Sequence, residues 1–352
     1  MSAELVARWA ADAFSRYDRE SVARIVRAAA EAGAAYAARY AAQAVQETGV
    51  GVVADQEAAN LAATAIPGGD FVTPHRDRTA IRLPRPVGVV LARIAPVLPV
   101  AGLYRTVLAC LSTRNALLLS PDPACRDVCT QAAAILAETV RAAGAPEGVI
   151  QIGECDDADL VLEPPARPDC VPVLVDGTAD LPQAADAIRR ARAFNNSTVD
   201  TSPAVLIVVE AVASELIGLL EHGDTPVHLA PLDLVEPPAQ PGPALAVVRV
   251  GAVRQGIQAA RAAVRLGAGR RASVHSTDPE TLRACLAALP VARLDVNGAG
   301  DTVAGWAGTD PAPERLVRWT TMVAPAGTEV TPATPVAPAG PVPAYPRASN
   351  GA

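Results

Sequence analysis

From residue 88 onward, short apolar runs alternate with longer amphipathic segments, and this alternation constrains the fold more than any other feature of the chain. The runs are rich in Val, Ile and Leu, which is typical of strands buried on both faces. Strands of this kind separated by helices predict an α/β fold with parallel sheets covered by helices. The predicted strands are GVVLARIA (88–95), NALLLS (115–120), GVIQIG (148–153), VPVLVDG (171–177), PAVLIVV (203–209), ALAVVRV (244–250), RASVHST (271–277) and ARLDVNG (292–298).

The segments on either side of this alternation have a different character. Roughly the first 65 residues keep a helical period, with Asp18 as a predicted helix cap and Gly49 as a predicted helix end. The Pro-rich span 231–243 predicts a loop or linker. From residue 324 to the last residue of this sequence, the chain is almost all Ala, Pro, Gly, Val and Thr, so we expect a largely disordered tail.

The charge balance limits the classes of partner. The formal net charge is −7 and the isoelectric point is near 5.2, so no basic surface is indicated. We therefore expect neither a nucleic acid nor an anionic membrane as partner, and a small molecule or another protein instead. No run reaches the ~18–20 apolar residues needed to span a bilayer, and the first residues lack a central apolar block. From these features we predict a cytoplasmic protein.

The cysteines and histidines show no spacing typical of a metal site. The only closely spaced cysteines, Cys125 and Cys129, fall on a predicted helix without nearby histidines, so we interpret the cysteines as buried, reduced thiols and expect no metal. The histidines are far apart in sequence and are interpreted as surface or loop residues. The four histidines are His75, His222, His228 and His275, and the other four cysteines are Cys110, Cys155, Cys170 and Cys285.

Taken in order, several segments together resemble the aldehyde dehydrogenase superfamily, closest to its CoA-acylating branch, from about residue 5 to about residue 325. The resemblance implies an aldehyde dehydrogenase-like α/β fold with a truncated Rossmann-type domain and a second parallel α/β domain. It also implies the boundaries 1–196, 197–310 and 311–352. The segments that carry the resemblance are ETGVGVVADQEAANLAATA, RPVGVVLARIAP, RNALLLSPDPA, GAPEGVIQIG, VPVLVDGTADLPQAADAIRRARAFNN and AVVRVGAVRQGIQAARAAVRLGAGRRASVHSTDPETL.

The resemblance implies a cysteine nucleophile in the loop FNNSTVDTSPAVLIVV (194–209), but Asp200 stands at that position. In such enzymes a thiolate attacks the aldehyde, hydride passes to NAD(P), and CoA or water releases the acyl group. A carboxylate titrates near ~3.9 and is a poor nucleophile toward an aldehyde, so this chemistry is predicted to be lost. Asp200 is interpreted either as a residue that turns or caps the backbone or as a catalytic or ligand-binding carboxylate.

Other elements of the implied cleft also differ from the family pattern. Leu98 and Pro99 stand where the resemblance places an Asn that donates to the oxyanion, and neither side chain can donate. The span 154–170 is shorter than a βαβ unit of ~30 residues and begins with acidic residues that would repel a pyrophosphate. We expect no cofactor, and neither NAD(P) nor CoA is expected to bind; any dinucleotide that did bind would contact Ser120 and Asp122.

A third difference is the short Pro-rich span from Glu221 to Ala244, where the family carries a long insertion. The sequence thus predicts a degenerate, shortened relative whose packing segments are kept. Arg189, Arg190 and Arg192 are interpreted as a solvated helix face. A residual pocket, if one is kept, is predicted to involve Asn195, Asn196, Thr198, Leu98, Pro99 and Asn297, although the loop side chains among them, with Ser197, could instead bond to loop amides.

Three functions remain open from the sequence. The first is a pseudoenzyme that acts as a scaffold or regulatory subunit, as a homodimer or with an intact aldehyde dehydrogenase. The second is a repurposed biosynthetic enzyme with Asp200 as general acid or base on a small carbonyl or thioester, without NAD. The third, a minor one, is phosphotransfer, because the Gly-rich turn at 298–301 in DVNGAGDTVAG resembles the anion hole of ribokinase-type kinases, with Asp301 as base.

Overall fold

The computed structural model describes residues 2–76, 80–164, 170–199, 202–222, 225, 227–229, 245–266, 271–298 and 313–323. It divides into two compact units. Unit 1 comprises 1–48, 60–164 and 309–352, and unit 2 comprises 49–59 and 165–308. The predicted tail from 324, the Pro-rich span 231–243, Asp200 and Asp301 lie outside the described residues.

Helices make up the first part of the chain, as the period of the sequence predicts. The predicted cap at Asp18 is confirmed, since its carboxylate accepts from the Ser21 amide at 2.7 Å. Alanine-rich faces allow close packing between the helices and favour the helical state. The first four helices are α1 (Ala3–Phe14), α2 (Arg19–Ala35), α3 (Ala37–Thr48) and α4 (Val53–Ala63).

Two sheets lie in unit 1. The first is antiparallel and was not predicted, because the prolines at 84 and 86 interrupt the apolar pattern of its central strand. It contains β1 (His75–Arg76), β2 (Ala80–Pro86) and, from the distant end of the described chain, the strand Val317–Val323. The second is a parallel sheet of order β5-β4-β3-β6, made of β3 (Val89–Ile94), β4 (Ala116–Pro121), β5 (Ile150–Ile152) and β6 (Leu160–Leu162).

Helices α5 (Pro99–Ser112) and α6 (Arg126–Ala142) connect the strands of this parallel sheet. The described residues of the short span after β5 contain β6, in agreement with the one short strand that its length allows. Gly88 precedes β3 with φ +125°, and a Cβ there would lie 2.3 Å from an oxygen of Asp159. That carboxylate accepts from the Val89 amide at 2.8 Å. The absence of a side chain at Gly88 therefore lets Asp159 hydrogen-bond to the first residue of β3.

Unit 2 contains one parallel sheet of six strands among its described residues, in the order β12-β11-β7-β8-β10-β9. Its strands are consistent with the predicted apolar runs, apart from the short β9, which corresponds to no predicted strand. The elements are β7 (Val171–Val175), α7 (Leu181–Ala193), β8 (Pro203–Val209), α8 (Glu210–Glu221), β9 (Val227–Leu229), β10 (Leu245–Val250), α9 (Val253–Leu266), β11 (Arg271–His275), α10 (Pro279–Ala288) and β12 (Arg293–Val296). The strand Val317–Val323 of unit 1 is β13.

Each face of this sheet has its own apolar core. Val173 and Val175 pack with α7 and α8 on one face, whereas Leu174 and Val274 pack with α9 and α10 on the other. The faces differ because side chains alternate along a strand. Helices α7 and α8, which follow β7 and β8, lie on one face of the sheet. Helices α9 and α10, which follow β10 and β11, lie on the opposite face.

The compact units divide the chain at residue 165, whereas the sequence predicted a boundary after residue 196. The difference arises because β7 hydrogen-bonds in parallel to both β8 and β11. The segment 165–196 therefore belongs with the strands that follow it. Residues 49–59 are also assigned to unit 2, and they contact the loop described next.

Candidate functional site

The loop between α7 and β8 has a strained backbone. Asn195, Asn196 and Ser197 have φ values of 50°, 56° and 57°, so three successive residues other than glycine are left-handed. Asn tolerates this region better than most residues, whereas Ser does so less readily. Such backbone strain persists only where the surroundings enforce it and is concentrated at functional sites.

Asn195 holds this loop in place through hydrogen bonds. Its side chain accepts from the Val52 amide at 3.0 Å and donates to the Thr198 hydroxyl at 2.7 Å. Its backbone amide donates to the Asp55 carboxylate at 2.8 Å. Asn195 is fully buried, so its amide group is committed to the loop and to the 49–59 segment. The Asn195 side chain thus bonds to Val52 and Thr198, and the Thr198 hydroxyl donates to the Asn195 carbonyl, while Asn196 is exposed.

Gly51 makes this arrangement possible. Its φ is +94°, and a Cβ at this position would lie 2.1 Å from the Asn195 side-chain oxygen. Only glycine allows the backbone of the 49–59 segment to approach Asn195 so closely. Gly51 was part of a segment that supported the family resemblance, but its contact with the loop was not predicted from the sequence.

Arg192 corrects the interpretation of the α7 arginines as a solvated face. Its side chain is buried and donates to the carbonyl of Pro203, at the start of β8. Burial lowers its pKa to about 10. The Ser197 hydroxyl donates to the Arg192 carbonyl. Arg190 is exposed, as predicted, and Arg192 differs because it lies on the helix face that packs inward.

Asp200 and Thr201 lie outside the described residues. On either side of them, Val199 and Ser202 are both buried. The Ser202 hydroxyl has no hydrogen-bond partner among the described residues. The described residues on either side of position 200 are thus buried. They follow a turn whose backbone is fixed by hydrogen bonds.

The segment after β3 is apolar, as the sequence predicts. Leu98 is fully buried with φ 50°, and no side chain caps the start of α5. Pro99 is the first residue of that helix and has no amide hydrogen to donate. Neither residue offers a side-chain donor at this position.

The carboxyl edge of the parallel sheet in unit 1 carries opposite charges close together. Glu154 accepts a hydrogen bond from the Ser120 hydroxyl and lies 3.6 Å from the Arg93 guanidinium. Arg93 also lies 3.4 Å from Glu163. Asp122 caps the short turn that leads into α6, accepting from the Ala124 amide at 2.9 Å. Ser120 and Asp122, the two residues predicted to contact any dinucleotide, are thus already engaged with protein groups.

The carboxyl edge of β7 and β11 holds a hydrogen-bonded cluster around the buried Asp176 and Ser276. The Asp176 carboxylate accepts from the Thr178 hydroxyl at 2.7 Å and from the Ser276 hydroxyl at 2.6 Å. Asn297, with φ 53°, accepts from the Ser276 amide at 2.9 Å and donates to its carbonyl at 3.0 Å. Asn297 follows β12, whereas Asn195 precedes β8, so these two predicted pocket residues lie at opposite edges of a parallel sheet.

His275 corrects the interpretation of the histidines as surface or loop residues. It ends β11, is buried, and its Nε2 atom has no hydrogen-bond partner within the described ranges. Burial lowers its pKa to about 4, so the ring is neutral at pH 7. The available signal was its place in the strand RASVHST, where polar residues alternate with apolar ones inside a buried parallel sheet.

The six cysteines are all buried and free, in agreement with the prediction. Burial raises the pKa of Cys155 and raises that of Cys285 to about 11. The pKa values of Cys110 and Cys129 are also raised, by burial for Cys110 and by a hydrogen bond with Cys125 followed by burial for Cys129. A nucleophilic thiol needs a lowered pKa and access to solvent, and no cysteine here combines the two.

Within the part of the chain that the structure describes, no cluster of three or more His, Cys, Asp or Glu side chains could hold a metal ion. Nor is any described helix both long and apolar enough to cross a membrane.

Comparison with curated proteins identifies acylating aldehyde dehydrogenases as relatives. The chain is 30% identical over 235 residues to acetaldehyde dehydrogenase (acetylating) EutE of Salmonella typhimurium, which covers 56% of this chain and 50% of the relative. It is 27% identical over 255 residues to the acylating sulfoacetaldehyde dehydrogenase of Cupriavidus necator, with 61% and 51% covered. The chain thus spans about half the length of the curated relatives it matches. No family model matches it.

Solved structures show the fold. An acetylating aldehyde dehydrogenase from Geobacillus thermoglucosidasius matches with a TM-score of 0.78 and 19% identity, covering 94% of this chain and 97% of that structure. A Rhodopseudomonas palustris propionaldehyde dehydrogenase with bound CoA and an acylated cysteine matches with a TM-score of 0.74 and 18% identity, covering 92% and 96%. The chain is therefore a homologue of the acylating aldehyde dehydrogenases and has their α/β fold.

Proposed function

We propose that this protein is an aldehyde dehydrogenase homologue that does not oxidise aldehydes and that acts as a scaffold or regulatory subunit. Its partner would be a second copy or an intact acylating aldehyde dehydrogenase. The observation that carries the proposal is that every thiol of the chain is buried, while Asp200 stands at the position that the resemblance gives to the nucleophile. Without an accessible thiolate, no thiohemiacetal can form.

The loop around position 200 supports this proposal. A carboxylate at Asp200 could not form a stable adduct from which hydride would leave. The cysteine that precedes it most closely in sequence is Cys170, which lies before β7 and is buried. The acylated cysteine of the Rhodopseudomonas palustris structure therefore has no counterpart that could take over its role here.

The carboxyl edge of the unit 1 sheet fits a dinucleotide poorly. A cofactor at this edge would bring its pyrophosphate near Glu154 and Glu163, and like charges repel each other. The Ser120 hydroxyl, which could otherwise donate to a phosphate or ribose oxygen, is bonded to Glu154. We therefore derive no step through NAD(P) or CoA, and we propose that the protein works without either.

A second candidate function rests on the strained turn at 195–197. Three left-handed residues held by buried hydrogen bonds indicate that the loop geometry itself is useful. In this alternative, Asp200 would serve as general acid or base on a small carbonyl or thioester intermediate. The kinase alternative receives no support, because its Asp301 lies outside the described residues and Asn297 is bonded to Ser276.

The Asp200→Cys variant tests the main proposal. Purified wild-type protein is expected to reduce neither NAD⁺ nor NADP⁺ with propionaldehyde and CoA, measured by absorbance of the reduced nicotinamide. Because the cofactor edge is also altered, Asp200→Cys is expected to stay inactive while its new thiol is alkylated by iodoacetamide. Asp200→Ser is the matched control without a thiol. Nicotinamide reduction by the wild-type protein would overturn the proposal.

Two further measurements separate the scaffold from the repurposed enzyme. A scaffold should form a stable complex with an intact acylating dehydrogenase from the same organism in size-exclusion chromatography, and Asp200→Asn should leave that complex unchanged. A repurposed enzyme should instead turn over a small carbonyl or thioester compound, with at least a tenfold loss in Asp200→Asn. Turnover of this kind would contradict the scaffold.

A further inference from the structure

One face of β11 is polar although it is buried. Arg271, Ser273 and His275 alternate along β11 on this face, and we call these three residues the β11 polar row. The residues between them, Ala272 and Val274, point to the opposite face and join the apolar core with α9 and α10. All three members of the row are almost completely shielded from solvent.

The polar character begins abruptly at β11. Ser273 pairs in register with Val173 and His275 with Val175 of the neighbouring β7, so these residues share a face. Val173 and Val175 belong to the apolar core with α7 and α8. Strands inside a parallel sheet are normally apolar on both faces, and no need of the fold explains a row of three polar side chains here.

The ends of the row are not satisfied by the protein. The Arg271 Nε atom donates to Asp295 at 2.8 Å, but neither terminal amine of Arg271 has a hydrogen-bond partner among the described residues. The Nε2 atom of His275 is equally unpartnered there. Buried polar groups are nearly always hydrogen-bonded, so the unpaired terminal amines of Arg271 and the unpaired Nε2 of His275 indicate a missing partner.

The charges around Arg271 are also unbalanced. Asp295 of β12 accepts from Arg271 and, at 2.7 Å, from Arg293, so two guanidinium groups share one carboxylate. Arg293 is 47% exposed in its side chain and is screened by solvent, whereas Arg271 is 3% exposed. The excess positive charge therefore lies at the buried Arg271, with its two free amines in a planar fork suited to an oxyanion.

We propose that the β11 polar row is a binding site for a small carboxylic acid, with the carboxylate held by the terminal amines of Arg271. Ser273 and His275 continue the site along the strand, and a rise of ~3.3 Å per residue places His275 about 13 Å from Arg271 between backbone positions. A short dicarboxylic or hydroxy acid bound at Arg271 would place its second polar group toward Ser273, two residues along the strand. The site does not depend on Asp200 or on the proposed scaffold role.

The experiment uses succinate, acetate and inorganic phosphate as probes of the full-length protein, with isothermal titration calorimetry at pH 7.5 and low ionic strength. Succinate is expected to bind the wild-type protein more tightly than acetate. Arg271→Gln is expected to weaken succinate binding by at least tenfold. Arg293→Gln is the matched control, because it removes a partner of the same carboxylate from the solvent side, and it should change the affinity by less than threefold.

A second variant covers the case in which Arg271→Gln does not fold. Asp295→Asn removes the carboxylate that competes for Arg271, so succinate should bind severalfold more tightly. Unchanged or weaker binding by a folded Asp295→Asn protein would contradict the proposal. Equal affinity in a folded Arg271→Gln protein, absence of binding by the wild-type protein at millimolar succinate, or binding of phosphate alone would also overturn it.

Discussion

The loop before β8 and the carboxyl edge of the unit 1 sheet hold their polar groups in opposite ways. In the loop, Asn195 is buried, and its hydrogen bonds with Val52, Asp55 and Thr198 fix a strained turn. At the sheet edge, Arg93 and Glu163 form an ion pair with side chains 47% and 65% exposed.

This difference indicates which of the two regions is more costly to rearrange. Buried, fully paired polar groups are expensive to disturb, because each lost partner leaves a desolvated group behind. Exposed ion pairs contribute little, since water and salt screen them. We infer that the loop is under tight structural constraint and that the carboxyl edge of the unit 1 sheet is less constrained.

The largest effect is expected where Gly51 meets Asn195. Gly51→Ala would place a methyl group against the Asn195 side chain and would force alanine to adopt φ +94°. We expect a loss of about 2–4 kcal/mol in the free energy of unfolding, measured by urea denaturation. Gly49→Ala is the control, because its φ is +69° but nothing lies within 4 Å of the added Cβ. A similar loss in both variants would show that the contact is unimportant.

The buried His275 predicts a loss of stability in acid. Its pKa of about 4 in the folded protein is below the ~6.5 of the unfolded chain, so protons bind preferentially to the unfolded state between these values. The contribution of His275 to the free energy of unfolding is greatest above pH ~6.5 and declines as the pH falls toward about 4. At about pH 5 the free energy of unfolding is lower by about 2 kcal/mol. His275→Gln should unfold in urea with a smaller dependence on pH between 7.5 and 5. His222→Gln provides the control, because it makes the same substitution at an exposed position.

A smaller effect is expected at the loop's second anchor. Asp55→Ala removes the acceptor of the Asn195 amide and should lower the free energy of unfolding by about 1–2 kcal/mol. Asp55→Asn keeps a side-chain oxygen at this position and should lose less than about 0.5 kcal/mol. Equal losses in the two variants would mean that the charge of Asp55, rather than its hydrogen bond, holds the loop.

The smallest effect is expected at the sheet edge. Glu163→Gln breaks the exposed ion pair with Arg93 and should change the free energy of unfolding by less than about 0.5 kcal/mol in either direction. A loss comparable to that of Asp55→Ala would remove the contrast between the loop and the edge. Urea denaturation at low and high salt provides the measurement, because screening should erase what remains of the pair.

The sequence predicted the parallel elements of the fold well, because short apolar runs leave few alternatives to buried strands. It did not predict β1, β2 and β13. Pro84 and Pro86 interrupt the apolar pattern of the central strand β2, and its partner β13 lies far away along the chain. The boundary after residue 196 differs from the compact units, because pairing of β7 with β11 is a long-range contact that local patterns do not report.

The site was predictable only in part. The resemblance directed attention to Asn195 and Asp200, but the hydrogen bonds from Val52 and to Asp55 join segments separated by more than a hundred residues. The burial of Arg192 and His275 was missed, because an isolated Arg on a helix or His at a strand end is usually exposed. Register and helix placement decide such burial, and neither is local in sequence.

The reactivity of the six buried thiols can also report local unfolding of the protein. Cys110, Cys125, Cys129 and Cys155 fall within unit 1, and Cys170 and Cys285 within unit 2. A thiol that is shielded in the folded state reacts with iodoacetamide only when its surroundings open. Timed alkylation followed by mass spectrometry would therefore show, without any labelled variant, which unit opens first and whether the two open together.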